Sequence, residues 1–301
     1  MRDLAQFTRL SPDDRYKRYQ STNELFQKND QIKEAMKAWG IRFAKEGFAK
    51  ATGFKIKPQD IVMSKKGNPT TQKGDEKADW DRALKSNSLL VAPPNLKKWV
   101  FLCANKRAEK EATEFVKCIV KTCEQQGWKV SKPKVEFCDD KVMVKQVRSY
   151  VEEGIEFMFC FVPRERKDHY DAVKKVCLQS GVASQFVKER TIKKNMQAVA
   201  TKVALQMACK FGGEPWSVAM PPHINKRPVM YVGIDVYHDT AKKNDSVFGL
   251  VASLNNKVTR WYSTHDILAQ TEETPGQAVR QMIKLSLGAY KAANGFLQRI
   301  F

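Results

Sequence analysis

Apolar runs and helical patterns alternate along residues 95–222, and their order predicts a sheet covered by helices. Trp99–Cys103 and Phe157–Val162 are uninterrupted apolar runs, which are typical of strands buried on both faces. The other elements predicted here are a helix over Ala112–Cys123, the strand Val135–Cys138 and a helix over Val142–Val151. Because strands and helices alternate, we expect an α/β fold with a parallel sheet and right-handed crossovers.

The pattern changes after Gly212-Gly213, which ends a long helical pattern. The elements predicted beyond it are a buried strand Val229–Val236, two antiparallel strands Ser246–Leu254 and Thr259–Ser263 joined by an Asn255-Asn256-Lys257 turn, a helix over Gly276–Ala293 and a strand beginning at Leu297–Phe301. The chain stops inside that last strand, so we expect a fragment of a longer protein.

Residues 1–94 lack this alternation. Ser11-Pro12, followed by two acidic residues, predicts a helix start, and a second helical pattern runs over Asp30–Trp39 and ends at Gly40. Ser64–Lys77 has almost no apolar residue, which predicts a loop or flexible linker. We place a domain boundary near residue 94.

Charge and cysteine content narrow the class of protein. The 301 residues include 53 Lys and Arg against 33 Asp and Glu, a formal charge of +20 that favours a polyanionic partner such as nucleic acid. We expect no membrane partner, since no apolar run approaches the roughly 18 residues needed to span a bilayer, and the start of the chain is polar rather than a secretory signal. The seven cysteines include no CxxC pair, which argues for reduced thiols of an intracellular protein and against structural zinc.

Candidate chemistry is concentrated in Lys167–Lys210. Tyr170 and Lys174 share one face of a predicted helix, as do Gln206 and Lys210 on a second, and Gln185 lies in a short apolar run between them. Two ammonium groups, a phenol and carboxamides suit a small anion and a stacked base. Ligands of parallel sheets bind at the carboxyl ends of strands, where the loop after Val162 lies. The alternative is two amphipathic helices with solvated lysines.

Three stretches carry a family resemblance: MRDLAQFTRL, TKVALQMACKFGGEPWSV and YVGIDVYHDTAKKNDSVFGLVASLNNKVTRWYS. Together they resemble the Piwi clade of the Argonaute family over nearly the full chain. The resemblance implies a second linker over 1–94, a Rossmann-like MID domain over 95–222, and the start of an RNase H-like PIWI domain over 223–301. It also implies that most of PIWI and the domains before the linker are absent.

The resemblance assigns roles to the residues of the Lys167–Lys210 segment. It implies a MID pocket for the 5′-phosphate of a guide RNA, in which Tyr170 stacks on the first base while Lys174, Gln185 and Lys210 hold the phosphate. Gln206 stands where the Argonaute branch has another lysine. Piwi-type members resemble this chain there and use a divalent metal, Mg²⁺, which makes electrostatic sense beside a doubly charged phosphate.

A loop before this helix matches the segment that reads the first base. Its residues are Arg164, Glu165, Arg166 and Lys167. Main-chain groups do that reading in the family, so the preferred base is not readable from these side chains.

A catalytic site is expected to be incomplete. Asp235 matches the first catalytic aspartate of the family, but hydrolysis with two metal ions needs several carboxylates, and the matching partners fall beyond Phe301. Ala278 stands where many members have a glutamate, and Glu272 and Glu273 lie nearby. We therefore predict no cleavage by this chain, with Asp235 a metal ligand only alongside missing partners.

Three functions remain open at this stage. The first is a binding module for a small piRNA-type guide RNA within a silencing protein, which we expect to be a monomer of the cytoplasm or nucleus. The second is RNA-guided cleavage of a target RNA by a longer protein that contains this chain. The third is a protein-interaction scaffold, although the tryptophans lie in core-like patterns and leave no evident aromatic docking surface.

Overall fold

A computed structural model describes residues 8, 10–43, 48–221, 227–238, 245–269 and 275–295. The chain divides into two compact units, Met1–Ile56 and Lys57–Phe301. The boundary predicted near residue 94 lies inside the second unit, where Leu89 and Leu96 share one hydrophobic core. The division into linker, MID and PIWI regions stays a prediction.

The first unit contains two capped helices. They are α1 (Pro12–Lys28) and α2 (Asp30–Ala38). Ser11 caps α1 because its hydroxyl accepts a hydrogen bond from the Asp14 amide at 3.1 Å. Asn29 caps α2 in the same way through the Ile32 amide, and Gly40 follows with a positive φ of 65°. Both predicted helices are confirmed.

The second unit alternates strands and helices for most of its length. Its elements in chain order are β1 (Ile61–Lys65), β2 (Asn68–Gln72), α3 (Asp81–Ser86), β3 (Trp99–Cys103), α4 (Glu109–Gln125), β4 (Lys134–Phe137), α5 (Met143–Glu152), β5 (Phe157–Val162), α6 (Lys167–Gln179), β6 (Ala183–Lys188), α7 (Glu189–Ile192), α8 (Met196–Lys210), β7 (Ser217–Val218), β8 (Val232–His238), β9 (Asp245–Ser253), β10 (Trp261–Ala269) and α9 (Pro275–Asn294).

The loop predicted over Ser64–Lys77 is wrong in part, because β1 and β2 form an antiparallel hairpin there. Lys66 and Gly67 form its two-residue turn with positive φ values of 51° and 87°, a backbone that matches the twist of the paired strands. β1 also pairs with β7 and buries Ile61, whereas β2 stays mostly exposed and so shows no apolar pattern. Turn geometry and main-chain pairing form this hairpin.

The predicted parallel sheet is confirmed. Its strand order is β4-β3-β5-β6, and all three pairings are parallel. Helices α4 and α8 pack on the face of the sheet that carries Phe101 and Phe159, whose rings stack at 4.7 Å. Helices α5 and α6 cover the other face. The result is a three-layer α/β unit in which β6 is an edge strand.

The last described elements form a separate antiparallel sheet. Its order is β10-β9-β8, and α9 packs on it through Leu250, Ala252 and Met282. The strand predicted at Val229–Val236 begins at Val232 and is not buried, since Val232 and Ile234 are 41% and 46% exposed. The reason is that α9 packs mainly on β9 and β10. The strand predicted at Leu297–Phe301 lies outside the described residues.

Candidate functional site

Two lysines from different helices converge on one main-chain oxygen. Lys174 Nζ of α6 and Lys210 Nζ of α8 donate to the carbonyl of Ser184 at 3.0 and 2.8 Å. Lys174 also donates to the Ser184 hydroxyl at 2.8 Å. This arrangement arises because β6 is an edge strand, whose outward carbonyl groups are left for side chains from flanking helices.

Two glutamines extend this cluster through hydrogen bonds. Lys210 Nζ donates to Gln185 Oε1 at 2.8 Å, and Gln185 Nε2 donates to Gln206 Oε1 at 3.0 Å. Successive residues of a strand point to opposite faces, so Ser184 faces α6 while Gln185 faces α8. The structure therefore brings together Lys174, Gln185, Gln206 and Lys210, which the sequence singled out.

The two lysines give the cluster a positive charge that suits an anion. Burial lowers the pKa of Lys174, and burial together with the nearby Lys174 ammonium lowers the pKa of Lys210 to about 8. In the part of the chain that the structure describes, no carboxylate forms an ion pair with either lysine. Two neighbouring ammonium groups without a counter-charge favour an anionic ligand.

Tyr170 borders the cluster and is 44% exposed. Its ring lies 4.9 Å from that of Phe186, and Lys174 Nζ lies 5.5 Å from the Tyr170 ring centroid. A cavity of about 350 Å³ opens beside it, lined also by Gln185 and Gln206. A half-exposed aromatic ring on the wall of such a cavity suits stacking of a flat base.

The segment predicted to read a base follows β5 on the cavity wall. Arg164, Glu165 and Arg166 line the cavity, whereas Lys167 begins α6 and is exposed. Arg166 Nη1 donates to Asp140 at 3.2 Å, a partner that the sequence reading missed. The available signal was position, because Asp140 lies just after β4, at the same edge of the parallel sheet as this segment.

The oxygen atoms of the cluster that could hold a metal ion are all uncharged. Gln206 Oε1 and Gln185 Oε1 are hard oxygen donors of the kind that Mg²⁺ accepts, and each already accepts a hydrogen bond. Among the described residues, no group of three His, Cys, Asp or Glu could hold a metal. The amide oxygens therefore suit a cation that takes most of its ligands from phosphate and water.

Of the acidic residues that the sequence analysis named for a catalytic site, the structure describes Asp235. Asp235 lies on the exposed strand β8, and its Oδ1 accepts from the Val236 amide at 2.9 Å. Ala278 is buried in α9, 2% exposed. Glu272 and Glu273 lie outside the described residues. Among the described residues, Asp235 is not part of any group of three His, Cys, Asp or Glu that could hold a metal ion.

Sequence comparisons find relatives that match most of this chain. A family model described as Piwi domain matches residues 157–300. Piwi-like protein 1 of Gallus gallus is 33% identical over 278 residues, which is 91% of this chain and 31% of that protein. Piwi-like protein 1 of Danio rerio is 32% identical over 97% of this chain and 33% of its own length. The chain thus spans about a third of the length of these curated relatives.

Solved structures agree with the sequence matches. The crystal structure of Drosophila Piwi superposes with a TM-score of 0.81 at 22% identity, covering 99% of this chain and 40% of that one. A Kluyveromyces polysporus Argonaute with a guide RNA gives a TM-score of 0.63 at 17% identity, over 80% of this chain and 30% of that one. The fold is therefore that of the Argonaute MID and PIWI regions. Within that class, the chain belongs to the Piwi clade of the Argonaute family.

Proposed function

We propose that this chain binds a small guide RNA by capturing its 5′-monophosphate, as part of an RNA-silencing protein of the Piwi type. The observation that carries the proposal is the convergence of Lys174 and Lys210 on the Ser184 carbonyl with no carboxylate partner in the described residues. A phosphate monoester carries up to two negative charges near neutral pH and offers three acceptor oxygens, which match two ammonium donors.

Each residue of the cluster has a role in this proposal. Lys174 and Lys210 donate to phosphate oxygens, and Gln185 donates through Nε2 after turning from its present acceptors. Tyr170 stacks on the first base in the adjoining cavity. Arg164, Glu165, Arg166 and Lys167 form the segment beside the base edge. The net charge of +20 adds attraction for the RNA backbone that does not depend on sequence.

Mg²⁺ is part of the proposal at Gln206. The ion would supply positive charge between phosphate oxygens and amide oxygens. Gln206 Oε1 would be its protein ligand, since a glutamine here leaves the site one ammonium short of the Argonaute branch. This assignment predicts that Mg²⁺ strengthens phosphate binding rather than RNA binding in general.

A titration with matched RNAs tests the proposal. The same oligonucleotide bearing a 5′-phosphate or a 5′-hydroxyl is titrated with the chain in Mg²⁺ and then in EDTA, at several salt concentrations. We expect a 5′-phosphate preference that Mg²⁺ enlarges. Equal affinity for both RNAs, falling steeply with salt, would show a basic surface without a phosphate pocket.

Target cleavage by a longer protein is the second candidate, favoured by the exposed position of Asp235 on β8. Two metal ions held by several carboxylates carry out such hydrolysis. Guide-dependent cleavage of a complementary target RNA by the longer protein, lost in Asp235→Ala, would support it. Undiminished cleavage by that variant would remove Asp235 from the chemistry.

A further inference from the structure

We propose that Asp140 is a positioning residue that fixes the segment Arg164–Arg166 and so determines which first nucleotide the chain prefers. The proposal rests on the proposed function, because it concerns the cavity that would receive the first base. Asp140 lies in a short 3₁₀ turn after β4 and lines that cavity together with Arg164 and Tyr170.

Both oxygens of the Asp140 carboxylate contact the segment that follows β5. Oδ2 accepts from Arg166 Nη1 at 3.2 Å, and Oδ1 lies 3.2 Å from His169 Nδ1. The Asp140 side chain is 20% exposed, so these contacts are partly shielded from water. The Asp140 carboxylate thus contacts both the Arg166 guanidinium, just before α6, and the His169 imidazole, in the first turn of α6.

Arg166 is also held by a second carboxylate. Its Nη2 and Nε donate to the two oxygens of Asp168 at 2.6 and 3.3 Å, a two-point contact that fixes the plane of the guanidinium. This contact raises the pKa of Arg166 and lowers the pKa of Asp168. Asp168 is only two residues away and moves with the segment, whereas Asp140 ties the segment to the sheet.

A weaker contact holds the segment on its other side. Glu165 accepts from Lys188 Nζ, at the end of β6, at 2.6 Å. The Glu165 side chain is 74% exposed, and exposed ion pairs contribute little. Asp140 is therefore the stronger of the two ties to the sheet.

Arg164 directly precedes the two held residues, Glu165 and Arg166. Its side chain is exposed and lines the cavity, and the described residues provide it with no hydrogen-bond partner. Bases in single strands are told apart by the donors and acceptors along their edges. Hydrogen bonds weaken steeply with distance and angle, so a displaced segment discriminates less well among bases. Asp140 acts on that choice through its contact with Arg166.

The test measures two ratios on the 301-residue chain. Dissociation constants are determined for 5′-phosphorylated RNAs that differ only in the first nucleotide, and for one 5′-hydroxyl RNA. In Asp140→Asn we expect the ratio between the best and worst first nucleotide to shrink by about 3- to 10-fold. The 5′-phosphate preference should stay within about twofold, because the lysine cluster is unchanged. Asp140→Glu should restore part of the base preference.

Two further variants distinguish a positioning role of Asp140 from a general loss of local structure. Asp139→Asn is the matched control, since Asp139 caps the same turn through the Lys141 amide and asparagine keeps that cap. Arg166→Gln should reproduce the effect, and the double variant with Asp140→Asn should add little to either one. Unaltered base ratios in both single variants, or no base preference in the unaltered chain, would overturn the inference. A chain without any 5′-phosphate preference would instead overturn the proposed function.

Discussion

Lys174 and Lys210 lie on different helices and donate to the same oxygen, the Ser184 carbonyl, at 3.0 and 2.8 Å. Two cations held by one neutral acceptor repel each other, and burial adds to the cost of keeping both charged. An anion between them removes that repulsion. This relationship is the basis of the first three predictions.

Lys174→Ala should weaken binding of 5′-phosphorylated RNA by about 10- to 100-fold, the effect of losing a charge-assisted hydrogen bond. Affinity for the 5′-hydroxyl RNA should hardly change. Lys175→Ala is the matched control because that neighbouring lysine is exposed on the same helix. Equal losses for both RNAs would contradict the prediction, and direct binding titrations decide it.

Binding of the phosphate should weaken as the pH rises through about 8, the pKa of Lys210 in the free chain. The bound phosphate favours the ammonium and raises that pKa, so binding above pH 8 takes up a proton. Affinity should then fall by up to about tenfold per pH unit. Lys210→Arg should bind with a flat profile over pH 7–9, because arginine stays protonated. A fall of the same size in that variant would exclude Lys210 as the titrating group.

Gln206→Lys should make phosphate binding less dependent on Mg²⁺, since an ammonium would replace the charge that the ion supplies. The measurement is the ratio of affinities in Mg²⁺ and in EDTA, which should approach one. Gln197→Lys provides the control, as it adds the same charge on α8 about 13 Å along the helix axis. If both variants respond to EDTA as the unaltered chain does, Gln206 has no link to the ion.

Tyr170→Ala should weaken RNA binding by about 5- to 100-fold, because base stacking on an aromatic ring is lost. Tyr170→Phe should bind nearly as well as the unaltered chain, since it keeps the ring and removes only the hydroxyl. Loss of affinity in the phenylalanine variant would show that the hydroxyl, rather than the ring face, makes the contact.

Phe159→Ala should lower the free energy of unfolding by about 3–5 kcal/mol. Phe159 is fully buried at the centre of the parallel sheet and stacks on Phe101. Denaturant unfolding measures the change. Leu178→Ala, which truncates a side chain that is 81% exposed, should change stability little. Similar losses in the two variants would contradict the placement of the core.

The parallel sheet could be predicted from the sequence because each of its central strands is recognisable from its own residues. Trp99–Cys103 and Phe157–Val162 have the predicted bounds, since strands covered on both faces are apolar throughout. The β1–β2 hairpin escaped prediction because main-chain pairing and the Lys66-Gly67 turn specify it rather than apolar residues. Strand β8 has the apolar sequence of a buried strand but lies mostly exposed.

In the candidate site too, contacts within one helix could be predicted, whereas contacts between residues far apart in the chain could not. Helical spacing was enough to pair Tyr170 with Lys174 and Gln206 with Lys210. The common acceptor Ser184 and the tie from Asp140 to Arg166 depend on how strands and helices pack, over separations of up to 26 residues. Spacing along one element does not report such contacts.

The edge position of β6 also bears on how quickly a ligand is captured. Its outward carbonyl at Ser184 holds both lysine side chains in place before RNA arrives, so their rotamer freedom is lost during folding and not during association. Preorganised donors lower the entropic cost of the encounter. A strand edge that in other sheets pairs with another strand here sets the two cations at a fixed spacing, so that Gln185 is the group that has to turn when the proposed phosphate binds.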